Sequence, residues 1–296
     1  MTPYSHISSN KFKTYLIFVI FTVIFTGFFF IIGKVYDDPW NYALLGLVIS
    51  LGSSVGSYFF SDKLVLTTTR ARPATKEEFF DFYTVTENLS MAAGLPMPKL
   101  YVIDDPSPNA FATGRDPKHA VVCATTGLLR TLERSEIEGV IAHELSHVKN
   151  YDILVMTVAA VLVGSISLVS DIVMRSLWWG GGDRDRRNAN PALYILFILA
   201  LILTPIVAML IQLAISRQRE YLADASGALL TRYPDALASA LQKISQYPAG
   251  VASATTSTSH LFIANPFRKG QISSVVANLF STHPPIEKRI EVLSKM

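Results

Sequence analysis

Five consecutive residues, His143-Glu144-Leu145-Ser146-His147, set two imidazoles one helical turn apart with a carboxylate beside the first. On a helix, positions i and i+4 share a face, so both rings reach one metal ion. Glu144 points beside that ion, where it serves as general base toward the attacking water of a metal-assisted hydrolysis. The competing reading is two surface histidines on an ordinary helix. Ser135 and Glu138 form a capping box that starts a helix ahead of the motif, which is the context the metal reading needs. A catalytic zinc takes three protein ligands and leaves one position open. The candidate for the third is Glu220 in Arg217-Gln218-Arg219-Glu220-Tyr221-Leu222-Ala223-Asp224. Asp224 lies one turn further on and can accept a hydrogen bond from the outer nitrogen of a ligand histidine. The same stretch also reads as a charged helix leaving a membrane, its acids paired with the arginines. His6, His119 and His260 have no motif partner and receive no role.

These residues must be positioned by a chain that is too apolar for an ordinary soluble domain: half of its 296 residues are hydrophobic. Thr14 to Gly33 carries no charge and is long enough to cross a hydrocarbon core of ~30 Å. It is bulkier and longer than a signal peptide and reads as an uncleaved anchor. Trp40 to Phe60 forms a hairpin with it, with Gly52 and Gly56 at the spacing of a close-packing helix face. Ile153 to Met174 and Ala192 to Ile215 read as two more spans, joined by a Gly-, Arg- and Asp-rich connector. Between the hairpins the chain is mixed. Thr75 and Glu78 form a capping box for a helix that Gly94 and Pro96 end. Strands are expected at Lys99 to Ile103 and Ala120 to Thr125, with a short edge strand at Asn109-Ala110-Phe111-Ala112-Thr113-Gly114 between them. The final portion holds a helix near Asp235 to Gln246, a Ser/Thr-rich flexible stretch at 252 to 259, and a helix after Pro284 and Pro285. The expected architecture is therefore a membrane protein, mainly α with a small β-sheet. It has an N-terminal hairpin over 1–61, a catalytic domain in two parts over 62–152 and 216–296, and a second hairpin over 153–215.

The net charge of +3 with no dense basic patch gives no sign of a nucleic-acid partner, and the single cysteine, Cys123, sits in an apolar run as a small core residue. Charged residues at 133, 134, 136, 138, 149 and 152 flank the motif, which places it in water and not within the bilayer. One metal held by His143, His147 and Glu220 needs both ends of the second hairpin on one side of the membrane, hence two crossings between them or none. No Gly or Pro intervenes before Gly164, so the active-site helix is expected to continue into the third span. Lys11, Lys13, Lys63, Arg70 and Arg72 favour the cytoplasm for the side of the N-terminus, although Arg175, Arg184, Arg186 and Arg187 in the connector oppose this.

Four segments together resemble the HtpX family of membrane zinc metalloproteases, relatives of the CAAX prenyl proteases. They are Gly139 to His147, Arg219 to Asp224, Asn109 to Gly114, and Ser281-Thr282-His283-Pro284-Pro285 with Arg289. The resemblance implies a zincin-like (gluzincin) α+β catalytic domain with four transmembrane helices. It implies one Zn2+ on His143, His147 and Glu220, Glu144 as base, and Asn109 to Gly114 as the edge that pairs with substrate backbone. His283 resembles a residue that stabilises the oxyanion of the tetrahedral intermediate; a helix-start histidine capping local backbone is the equal alternative. The implied partners are damaged or unfolded membrane proteins, the lipid bilayer and other quality-control proteases, in a bacterial inner membrane. The rival readings are a CAAX-type prenyl endopeptidase, for which four short spans leave little material for an enclosed chamber, and a non-enzymatic four-span scaffold using zinc structurally.

Overall fold

The computed structural model describes residues 3–35, 37–179, 216–267 and 284–296. Two long helices come first, α1 (Pro3–Val35) and α2 (Pro39–Thr68), and both are long and apolar enough to cross a membrane. Helix α1 begins well ahead of the uncharged run, and its early polar residues Asn10 and Thr14 are buried. Among the described residues Gly52 and Gly56 meet no partner, with nothing within 4 Å of a Cβ built on either. The buried stripe is instead Gly46, Ser50, Ser54, Ser57 and Ser61, small residues at helical spacing. At Gly46 a Cβ would sit 2.7 Å from Phe29 Cβ, so only glycine allows that approach of α2 to α1.

A four-stranded mixed sheet follows, in the order β1 (Arg72–Pro73), β2 (Lys99–Ile103), β4 (Val121–Thr125), β3 (Ala110–Thr113). Strands β2 and β4 are parallel and the outer pairings antiparallel. Both faces are covered, so the central strands are nearly continuous apolar runs. On one face Val102 and Val122 join Phe82 of α3 (Phe80–Ala93), Ile141 and Leu145 of α5 (Arg134–Lys149), and Leu241 of α8 (Pro234–Gln246). On the other, Phe111 and Cys123 meet Val65 of α2, Met156 and Phe262. Burial pushes the Cys123 thiol far up, as befits a core residue.

Both expected capping boxes are corrected. At Thr75 half of the box forms, its hydroxyl accepting the Glu78 N–H at 3.3 Å, but the Glu78 carboxylate is drawn to Arg72 at 2.6 and 2.7 Å and does not reach back, and helix α3 starts only at Phe80. Helix α5, preceded by the short α4 (Thr126–Thr131), is capped by Glu133 and Glu136 and not by Ser135 and Glu138. The buried Glu136 carboxylate accepts the Glu133 N–H at 2.8 Å, the Ser239 hydroxyl at 2.6 Å and the Lys243 ammonium at 2.7 Å, and so ties α5 to α8. Gly139 completes that contact, since a Cβ there would lie 2.9 Å from the backbone of Leu237.

The active-site helix does not run on into the next one. Helix α5 ends at Lys149, Tyr151 takes the left-handed conformation (φ 60°), and α6 (Asp152–Trp179) leaves at 84°. In an unbroken helix, residue i+5 would lie ~140° around the axis from residue i. The corner instead brings Asp152 back onto His147, with 3.0 Å between Oδ2 and Nδ1. Along α6, Leu154, Val155, Val158, Leu162 and Ile166 pack on Ile17, Phe21, Phe25 and Phe28 of α1. Helix α6 covers the third expected span; the fourth, Ala192 to Ile215, lies outside the described residues. Helices α7 (Arg217–Thr231) and α8 follow, and α9 (Ile286–Leu293) closes the chain. The stretch at 252 to 259 is not loose: Thr255 and Thr258 bond each other's backbone and hydroxyls, and Thr258, Ser259 and His260 are buried. A ring nitrogen of His260 lies 2.9 Å from the Met156 carbonyl of α6.

Candidate metal centre

Helix α7 turns a face of Glu220, Ala223, Asp224 and Gly227 toward α5. Gly227 sets how close the two helices come, since a Cβ there would lie 3.0 Å from the His143 backbone nitrogen. The approach brings three buried side chains together. His143 Nε2 and His147 Nε2 are 3.2 Å apart, and the Glu220 carboxylate oxygens lie 3.8 Å from the first and 3.5 Å from the second. Ligands held tetrahedrally at about 2.0–2.1 Å from one ion are roughly 3.3 Å apart. Two nitrogens and a carboxylate at this spacing therefore fit a divalent metal, and these are the atoms that could hold one.

The outer atoms of the same side chains are also held. His143 Nδ1 donates to Asp224 at 2.9 Å, and Arg289 of α9 grips Asp224 with two bonds of 2.7 and 2.8 Å. Arg289 is fully buried and also donates to the Ile263 carbonyl at 2.8 Å. Burial works against the Asp224 carboxylate, but the Arg289 charge and hydrogen bonds overcome it and bring the pKa down to about 2. Burial holds His143 neutral, with its pKa lowered to about 4. For His147 burial is outweighed by the bond to Asp152 and the charges of Glu220 and Asp152, which raise its pKa to about 9. A metal binding at neutral pH would therefore displace a proton from His147. Glu144 is buried against the pair; burial, against the pull of His147, raises its pKa to about 7, and its carboxylate accepts the Ala112 backbone N–H.

The structure thus brings together His143, Glu144, His147, Glu220 and Asp224 from two helices. His283 lies outside the described residues. Of Asn109 to Gly114, residues 110–113 form β3, at the sheet edge beside α5. That edge is partly occupied: Ala110 C=O accepts from Ile263 N–H at 2.9 Å, Phe111 bridges to Phe262, and the Asn109 amide donates to Ala264 C=O at 3.0 Å. Ala112 turns its N–H to Glu144, and the Gly114 N–H donates to Thr157 at 3.3 Å. Two residues at the site escape a reading by motif. Asp152 carries no signal without the corner at Tyr151, and Arg289 stands 65 residues from Asp224 with nothing local to pair them.

With the apolar helices α1 and α2 on the same chain, this constellation is that of a membrane-associated metalloprotease. Residues 78–296 match the model of peptidase family M48. The chain belongs to that family and, within it, to the HtpX proteases. It is 46% identical over 304 residues to a protease HtpX homolog of Caldanaerobacter subterraneus, an alignment covering 100% of this chain and 98% of that protein. It is 48% identical to one from Dictyoglomus thermophilum (100% and 95% covered) and 49% identical to one from Pyrococcus furiosus (86% of each). Among solved structures, S. mikatae Ste24p shares the fold, with a TM-score of 0.51 at 19% identity over 90% of this chain. The present chain spans 61% of that protein's length.

Proposed function

We propose that this metalloprotease is a zinc endopeptidase that cleaves damaged or misfolded membrane proteins at the cytoplasmic face of a bacterial inner membrane. The observation that carries the reading is the convergence of His143, His147 and Glu220 with the buried Glu144 beside them. Zinc held there would act as a Lewis acid toward the scissile carbonyl and the attacking water. Glu144, with a pKa near neutrality, accepts the proton of that water and returns it to the leaving amine. Asp224 and Asp152 keep the outer nitrogens of His143 and His147 as donors, which leaves each Nε2 free of a proton to hold a metal ion. Trapping substrates in membranes with Glu144→Gln and identifying them tests the substrate class. Recovery of prenylated peptides alone would move the reading to a CAAX-type endopeptidase.

Substrate backbone is proposed to pair with the outer side of β3, centred on Ala112. Such pairing supplies affinity with little demand on side chains, which suits an enzyme meeting many unfolded chains. Ala112→Pro removes the N–H that Glu144 accepts in the free protein and that a bound substrate carbonyl would take over. It should weaken binding of an extended peptide about tenfold, the effect of roughly one hydrogen bond, with metal content unchanged. Titration of the Glu144→Gln form with and without the proline checks this, and equal affinities would rule the edge out.

Four crossings are proposed, with α6 as the third, because α6 lies against α1 and because the ends of the second hairpin both reach the metal centre. Single cysteines at Lys118 and Gly181 in a Cys123→Ala background should label from opposite sides of the membrane, Lys118 from the cytoplasm. Labelling of both from the cytoplasm would mean that 153–215 does not cross.

A further inference from the structure

The site has a support that comes from the membrane anchor. Asn10, in the third turn of α1, is buried to 2% exposure more than 130 residues ahead of the metal-binding motif. Its amide nitrogen donates to the Asn150 carbonyl at 2.9 Å and to Asp152 Oδ1 at 2.8 Å. Its amide oxygen accepts from Arg219 Nη1 at 3.1 Å, and Arg219 Nη1 also reaches Asp152 Oδ1 at 3.1 Å. The other Asp152 oxygen takes the His147 Nδ1–H at 3.0 Å. One primary amide thus touches the last residue before the corner, the acid that orients a ligand histidine, and the residue next to Glu220.

Each contact has a consequence at His147. Asn150 is where α5 ends, and a donor on its carbonyl holds the corner that folds Asp152 back. Asp152 has one oxygen on His147; the amide and the guanidinium on the other oxygen fix the plane of the carboxylate. That plane sets the direction of the His147 ring, and partners behind a metal ligand typically tune affinity by 10–100-fold. A leucine of similar volume at position 10 would fill the space, leave the Asn150 carbonyl without this donor and leave Asp152 Oδ1 held by Arg219 alone, a weaker restraint on the plane of the carboxylate.

We infer that Asn10 is a positioning residue for the metal ligand His147, so that the N-terminal anchor helix completes the metal site as well as tethering it. This rests on the metal-site reading above. The test uses the full-length protein in detergent micelles, with zinc affinity measured by competition against a chromophoric chelator and the visible absorption of the cobalt-substituted form as a second readout. Asn10→Leu should raise the zinc Kd 10–100-fold and shift the cobalt bands, since both report the ligand set. Asn10→Ser keeps a polar group in the space but falls short of Asp152, and should show a smaller change of the same sign if the leucine form does not fold. Ile17→Ala, on the same helix and fully buried against α6, loses packing without touching the network, and should lower thermal stability while leaving the zinc Kd within twofold. Wild-type zinc affinity and an unchanged cobalt spectrum in folded Asn10→Leu or Asn10→Ser would overturn the inference. So would equal losses of affinity in Asn10→Leu and Ile17→Ala, which would make the effect general loosening. If the wild-type protein itself binds no zinc, it is the metal-site reading that fails.

Discussion

Glu144→Gln is expected to keep the metal and lose peptidase turnover by roughly three orders of magnitude, within the 10²–10⁴-fold contribution of a positioned general base. Glutamine has the same shape as glutamate and can still occupy the buried space beside His143 and His147, so the ligands are undisturbed. What it lacks is a site for the water's proton. Burial raises the Glu144 pKa to about 7, which makes the group an efficient acceptor and donor in turn, and no amide can replace that. Metal content per chain and hydrolysis of an unfolded protein substrate, measured on the same preparation, check the two halves separately. Turnover at the wild-type rate would remove Glu144 from the mechanism. Loss of the metal would make the variant uninformative about the base, and Glu144→Ala with its metal content restored would then be compared.

The second large effect is expected at Arg289. Removing one member of a buried ion pair leaves the other charged and without a partner, at a cost of about 3–5 kcal/mol. Arg289→Met should therefore lower the apparent melting temperature by roughly 10 °C. The damage should reach the metal as well, because Asp224 loses its two strongest bonds and is the acceptor for His143. Arg289→Met combined with Asp224→Asn removes both charges and should recover part of the stability, though not the orientation of His143. The pH dependence has a defined sign. Asp224 has its carboxylate pKa lowered in the fold from 3.8 to about 2, so its pairing stabilises fully above 3.8 and is lost as pH falls through about 2. In Arg289→Met burial acts on Asp224 with this counter-charge gone and raises its pKa, so over pH 9 to 5 the penalty should be largest at the alkaline end and shrink as Asp224 takes up a proton. Thermal scans of wild type and variant across that range check it, and a penalty that vanishes at pH 9 would contradict the assignment.

The features legible in the sequence are those whose physics is local. His143 and His147 share a face because the helical repeat puts any i and i+4 pair there, whatever the helix packs against. The same repeat pairs Glu220 with Asp224. Long uncharged runs mark α1 and α2 because hydrocarbon tolerates little else, and strand β2 was bounded by its own residues, Lys99 to Ile103. Capping was less legible. Four acids and hydroxyls near 133–138 offer competing boxes, and the choice of Glu133 with Glu136 depends on Ser239 and Lys243, which lie on another helix.

What the tertiary structure decided is which remote groups stand behind each ligand. Periodicity says that a face is buried; it does not say what it meets. Asp152 reaches His147 only through a corner that no glycine or proline announces, held by an asparagine more than 130 residues earlier. Arg289 reaches Asp224 across 65 residues, and Phe262 and Ile263 cover part of an edge strand whose sequence shows only that it is short and apolar. The metal-binding pattern itself was written in five adjacent residues, because one turn of helix suffices to aim two imidazoles. The groups that stand behind those imidazoles, Asp152 and Asp224 with Arg219 and Arg289 on them, come from distant parts of the chain, because a buried carboxylate or guanidinium is tolerated only where the fold supplies its counter-charge.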